Sequence, residues 1–289
     1  MEPIDHPIGC WLDGQTGTIL NHQHLMGDLS RKQAVLLGET HDRYDIHRWQ
    51  LHVVAALHAL RQNIVVGFEM FPRRVQPVLD RWVAGEFSSE AFLQEVEWNS
   101  VWGFPAELYM SIFHFCREFR VPMKTLNCRR SLVTEVGKLG WAAIPEADRD
   151  GLTPAAPASA AHRRHLFALT GGQRPGREAP DAMAPEFDRF VRAQQTWDRA
   201  FACNIAAALQ DDGDCLVIGI IGRGHLEFGH GTPFQLADLG ITDVAVLLPE
   251  DEAVFDIAAR RGVGDAVFRL GWPEHATRAT PTGSGAAPG

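Results

Sequence analysis

Residues 34–42 read Ala-Val-Leu-Leu-Gly-Glu-Thr-His-Asp. A short apolar run ends, without any spacer, in a carboxylate, a hydroxyl, an imidazole and a second carboxylate. Such a run suits a strand covered on both faces, which shows no polar alternation. Four further runs share this character: 64–68 (IVVGF), 121–126 (VPMKTL), 215–221 (CLVIGII) and 243–248 (DVAVLL). Helical spacing fills the gaps between them. From about 44 to 61, His47, Leu51, Val54 and His58 fall on one stripe. From about 185 to 210, Phe187, Phe190, Gln194, Trp197, Phe201 and Ile205 do the same. Gln194 and Asp198 lie on or beside that stripe. A buried polar group needs a partner, and a helix–helix hydrogen bond is the expected one.

Strands alternating with helices predict an α/β fold: a mostly parallel central sheet flanked by helices, with an inserted helical subdomain. Residues 1–70, 121–150 and 211–272 form the expected α/β core. Residues 71–120 and 151–210 hold helical patterns without strand runs and form the expected subdomain. The stretch 151–161 (GLTPAAPASAA) reads as a linker, and 171–185 as a second irregular stretch. Residues 273–289 have the composition of a disordered tail.

The chain has 289 residues, of which 45% are hydrophobic and 22% charged, an ordinary globular balance. Its net charge of -9 argues against a nucleic-acid partner or an anionic membrane surface, both of which call for a basic face. No apolar stretch approaches the roughly 20 residues needed to span a bilayer. Cys10, Cys116, Cys128, Cys203 and Cys215 are odd in number, widely spaced and without a CxxC pair. They suggest free thiols in a reducing compartment. The location expected from the sequence as it stands is cytoplasmic, or periplasmic or membrane-anchored if a signal segment was removed. A homodimer is the assembly to test.

The chemistry gathers where strands end. Glu39 and His41 follow the first run, Glu69 ends the second, and Arg223 and His225 follow the fourth. Open α/β sheets bind ligands at the carboxyl ends of their strands. Each residue has a plainer reading. Glu39 or Asp42 would suit the N-terminus of the next helix, and His225 would pass as a loop histidine. Three separate strands delivering such groups to one edge favour a site. Glu39, His41, Glu69 and His225 together make an O/N donor set for a divalent transition metal. Gly222, Gly224, Gly229 and Gly231 surround His225 and allow close backbone approach. The loop matches neither GxGxxG after a first strand nor GxxxxGK[ST], and the chain holds no GxSxG elbow.

Four stretches, in order, resemble the ChaN-like haem-binding family. They are LLGETHDRYDIH (36–47), WGFPAELYMSIFHFCREFRVPMKTLN (102–127), QQTWDRAFACNIA (194–206) and GRGHLEFGHGTP (222–233). The wider superfamily includes Tiki-type metalloproteases, TraB-like proteins and erythromycin esterases. The resemblance implies an α/β sheet with a small helical subdomain, and either haem binding linked to iron or haem acquisition or a metal-assisted hydrolytic ancestry. Its matching positions are Glu39, His41, His47, Glu69, Arg223 and His225. Many members carry Tyr where Phe228 stands, and this chain has two tyrosines, Tyr44 and Tyr109. Under the haem reading, Tyr44, His47, Tyr109 and His230 are the candidate iron ligands, with Trp102, Phe104 and Phe228 as candidate walls. Under the hydrolase reading, Glu39, His41, Glu69 and His225 hold a metal that activates water, Arg223 stabilises developing negative charge and Asp42 serves as base.

Overall fold

The computed structural model describes residues 3–172 and 179–271. The expected tail and part of the irregular stretch 171–185 lie outside these residues.

Ten strands are present among the described residues: β1 (Ile4–Asp5), β2 (Trp11–Asp13), β3 (Ile19–Leu20), β4 (Ala34–Glu39), β5 (Ile64–Pro72), β6 (Met123–Asn127), β7 (Leu216–Gly222), β8 (Val244–Glu250), β9 (Val254–Phe255) and β10 (Ala266–Arg269). Between them run α1 (His22–Leu29), α2 (Tyr44–Leu60), α3 (Gln76–Val83), α4 (Ser89–Glu95), α5 (Trp98–Val101), α6 (Met110–Glu118), α7 (Arg130–Leu139), α8 (Ala160–Thr170), α9 (Pro185–Asp211), α10 (Thr232–Asp238) and α11 (Ile257–Arg260).

Eight strands form one sheet in the order β3-β2-β10-β8-β4-β7-β5-β6. From β10 to β6 every pairing is parallel, and β2 joins β10 and β3 antiparallel. All five apolar runs become adjacent parallel strands. The extra strands β2, β3 and β10 are two to four residues long, too short for periodicity to mark them.

β7 inserts between β4 and β5 although it follows them in sequence by about 180 and about 150 residues. The carboxyl ends of these three strands therefore sit side by side, with Glu39 opposite Gly222 and Phe68 opposite Ile220. Residues of β4 alternate between two cores. Val35 and Leu37 join the cluster beneath α2 and α6, while Ala34 and Leu36 join the cluster beneath α9 and α10. Each fully buried aliphatic side chain here contributes about 1.5–3 kcal/mol relative to exposure. The central strands are thus a rigid frame for whatever their ends carry.

β5 runs three residues past Glu69, so this carboxylate lies inside a strand rather than at its end. Its pairing with β6 shifts register between Phe68 and Pro72. A bulge of that kind re-aims a side chain.

Candidate functional site

By alternation Glu39 belongs to the α2 face of the sheet, with Leu37, and Glu69 to the α9 face, with Val65. Both carboxylates are nonetheless buried against one imidazole. His41 Nδ1 lies 2.7 Å from Glu39 Oε1 and 3.3 Å from Glu69 Oε1. The strand ends permit this meeting, because beyond them no ladder separates the two faces. Gly222 makes room: a Cβ there would stand 3.1 Å from His41 Cε1 and 3.4 Å from the Glu69 carboxylate. The Gly222 N–H donates to Glu69 Oε2 at 2.7 Å.

Glu39 is held from every side. Tyr109 donates its hydroxyl to Oε1 at 3.0 Å and in turn accepts from Trp102 Nε1 at 3.1 Å. Gln50 Nε2 donates to Oε2 at 3.2 Å. His47 Nδ1 lies 3.5 Å from Oε2. His47 also faces Gln50 Oε1 at 3.0 Å and the His41 carbonyl at 3.1 Å. Burial pushes the Glu39 carboxyl up, but His47, His41 and Tyr109 outweigh it and leave it below the ordinary carboxylate value. Burial raises Glu69, with Glu39 adding to the rise and His41 opposing it. Burial also opposes a charge on His41, but Glu69, Glu39 and Asp42 prevail and raise its pKa to about 9. His41 therefore keeps its proton at neutral pH, against the Glu39 carboxylate.

His225 closes the other side. Its Nδ1 pairs with Asp198 Oδ1 of α9 at 2.8 Å, and Thr232 Oγ1 at the start of α10 donates to the same oxygen at 3.3 Å. Burial opposes charge on His225, while Asp198 and then Glu69 raise its pKa above the ordinary value. A carboxylate behind Nδ1 orients an imidazole and leaves Nε2 as the outward atom.

A cavity of about 320 Å³ lies over this floor, lined by Glu39, His41, Glu69, Arg223 and His225 among others. Its walls are aromatic and aliphatic. Trp102 meets His41 edge-on at 4.8 Å between ring centroids, and Phe201 meets His225 at 5.2 Å. Leu166, Leu169 and Phe190 complete the apolar side. Trp197 and Phe190 also border a second cavity of about 370 Å³ between α7 and α9.

The four residues read as metal ligands thus border one cavity. Ligand atoms of Glu39, His41 and Glu69 lie within 4.8 Å of one another. Arg223 borders it too, but its guanidinium donates to Glu227 at 2.6 Å, Glu250 at 2.9 Å and the Pro249 carbonyl at 3.3 Å. The candidate iron ligands do not gather there. His47 and Tyr109 are fully buried behind Glu39. Tyr44 is 51% exposed at the start of α2, and neither it nor His230 lines the cavity. Trp102 is a wall, whereas Phe228 lies elsewhere. Gln50 escaped the reading of the sequence, and Asp198 was expected only to bond a neighbouring helix, as it does through Thr232, and not to back His225. Asp198 carried a signal, a carboxylate beside an apolar helical stripe, whose partner only the fold reveals.

The family model described as "Haem-binding uptake, Tiki superfamily, ChaN" matches residues 25–236. Among solved structures, one of cofacial haem binding to ChaN of Campylobacter jejuni shares the fold, with a TM-score of 0.68 at 19% identity over 89% of this chain and 95% of that one. An erythromycin esterase in its open conformation gives a TM-score of 0.47 at 11% identity, covering 83% of this chain and 76% of the esterase. The type III effector HopBA1 gives 0.46 at 12%, covering 85% and 91%. The curated proteins contain no match.

Proposed function

We propose, from the premise that this chain belongs to the ChaN haem-binding-uptake family of the Tiki superfamily, that it takes up haem at the cavity over the carboxyl ends of β4, β5 and β7. The observation that carries the reading is the pairing of apolar aromatic walls with two imidazoles, His41 and His225, at one floor. Both rings have Nδ1 committed to carboxylates, and an imidazole so oriented becomes a good ligand through Nε2 once that nitrogen gives up its proton. Trp102, Phe190, Trp197 and Phe201 suit a flat apolar ligand. Phe190 and Trp197 line both this cavity and the second one. His41 and His225 would hold the haem iron, and the apolar walls would orient the macrocycle. The family's description supports a role in iron or haem acquisition.

Haemin titration of the purified chain tests this. A saturable Soret shift that weakens at least about tenfold in His225→Ala supports it, in line with loss of a metal-ligand contact. Absence of saturable binding in the unsubstituted protein overturns it.

One observation favours a second reading, a metal-assisted hydrolase: the convergence of Glu39, His41 and Glu69. A divalent ion there lowers the pKa of bound water. Against it, Glu39 already accepts from Tyr109 and Gln50 and pairs with His41, so coordination must displace one partner. Cobalt titration followed by visible absorption separates the readings, since only this one calls for a cobalt spectrum lost in Glu69→Gln.

A further inference from the structure

α8 forms one wall of the cavity through Leu166, Leu169 and Thr170. Yet it belongs to neither core of the sheet. Its apolar hold is a small separate cluster in which Leu166 meets Ala179, Ala184, Phe187 and Val191. Arg163 adds a bond to the Ala182 carbonyl and an ion pair with Asp188, each at 2.8 Å. An element held by so few buried contacts opens at lower cost than the sheet it covers.

Its other attachment is made of histidines. His162 and His165, three residues apart on one helical face, meet the loop after β7. His162 stacks on His230 at 5.7 Å between centroids. His165 lies 5.8 Å from His230 and meets Phe228 edge-on at 5.3 Å. Phe228 sits at φ 58°, a left-handed conformation that a non-glycine residue keeps only where its surroundings enforce it. His162 is 2% exposed. The buried His165 Nε2 has no hydrogen-bond partner among the described residues.

The charged groups facing this trio are few. Asp198 of α9 favours charge on His162, whereas His230, His165 and His225 oppose it. Glu227 lies 3.5 Å from His165 and favours its charge, but it also accepts from Arg223. Burial is the largest influence on all three rings. It pushes His162 down to about 4 and lowers His165 and His230. Three imidazoles packed together cohere while neutral and repel one another once charged.

We infer that α8 is an acid-operated lid on the cavity, latched by His162, His165 and His230 at neutral pH and released when they take up protons. The direction follows from linkage. A ring whose pKa is lowered in the closed state stabilises that state above the ordinary value of 6.5. The stabilisation declines as pH falls from 6.5 towards 4. A ligand bound under α8 is therefore retained at neutral pH and released in mild acid.

Hydrogen exchange of the full chain at pH 7.5 and 5.0, corrected for intrinsic rates, tests the lid without any ligand. Peptides covering 160–170 are expected to exchange at least about tenfold faster at pH 5.0, while β4 and β7 keep their protection. His162→Phe is expected to abolish the acceleration. His165→Gln and His230→Gln, at less buried positions, are expected to reduce it and stand in should His162→Phe fail to fold. Equal protection of α8 at both pH values, uniform acceleration in every element, or an undiminished response in the variants overturns the lid.

Discussion

Two groups of histidines, each drawing one member from the loop after β7, behave in opposite ways. At the cavity floor, His41 and His225 are buried against Glu39, Glu69 and Asp198, and hold their protons above the ordinary pKa. Across the lid, His162, His165 and His230 are buried mainly against one another, and their pKa values fall. Burial disfavours charge in both places. What differs is the neighbour: a carboxylate at 2.7 or 2.8 Å reverses the effect of burial, whereas at His162 and His230 a second imidazole reinforces it. Histidine count, high as it is, therefore says little about charge until partners are known.

Removing the carboxylate that anchors the floor is the severest test of this contrast. Glu39→Ala leaves Tyr109, Gln50 and two imidazoles without their shared acceptor. Breaking a buried charged network costs about 3–5 kcal/mol, and urea unfolding should register a loss of that size. A loss below 1 kcal/mol would show that the carboxylate does not organise the floor.

Next comes Asp198→Asn, which keeps the side chain's shape but removes its charge. Affinity for haemin or a metal ion is expected to fall about tenfold, with the fold intact by circular dichroism, and the His225 pKa to drop. An unchanged His225 titration by NMR would separate Asp198 from the floor.

The pH dependence of the floor is the next effect in size. His41 has its pKa raised to about 9 in the folded chain, so its contribution is complete below the unfolded value of 6.5 and fades as pH rises through 9. In chelator-treated protein, the melting temperatures of the unsubstituted chain and His41→Gln should differ most near pH 6 and converge above pH 9. Parallel curves would remove the charged imidazole from the description. The lid histidines carry the opposite sign, losing stability on acidification.

The smallest expected effect is at Tyr44. It is half exposed and away from the cavity, so Tyr44→Phe should leave haemin affinity and stability unchanged within about 0.5 kcal/mol. A shifted Soret band would bring Tyr44 back as a ligand.

Much of this was legible in the chain itself. Strands β4 to β8 are short apolar runs, and helices had to lie between them. Glu39, His41, Glu69 and His225 could be assigned to one edge because parallel strands send their carboxyl ends the same way. His47, Tyr109 and His230 could not be sorted so. Each is an imidazole or phenol near a motif, and nothing local separates a group facing a ligand from one buried behind Glu39 or packed beneath a lid.

Local patterning thus determined which segments extend and which polar residues follow them, because period and β-branching act over a few residues. Tertiary structure alone decided that β7 enters between β4 and β5, and that Glu39 and Glu69, on opposite faces, close on His41. It also decided that Asp198, far along α9, backs His225. Apart from Glu39 with His41, those pairings join residues separated by 27 to 183 positions. At such distances contact depends on how whole elements pack, and no local periodicity encodes it.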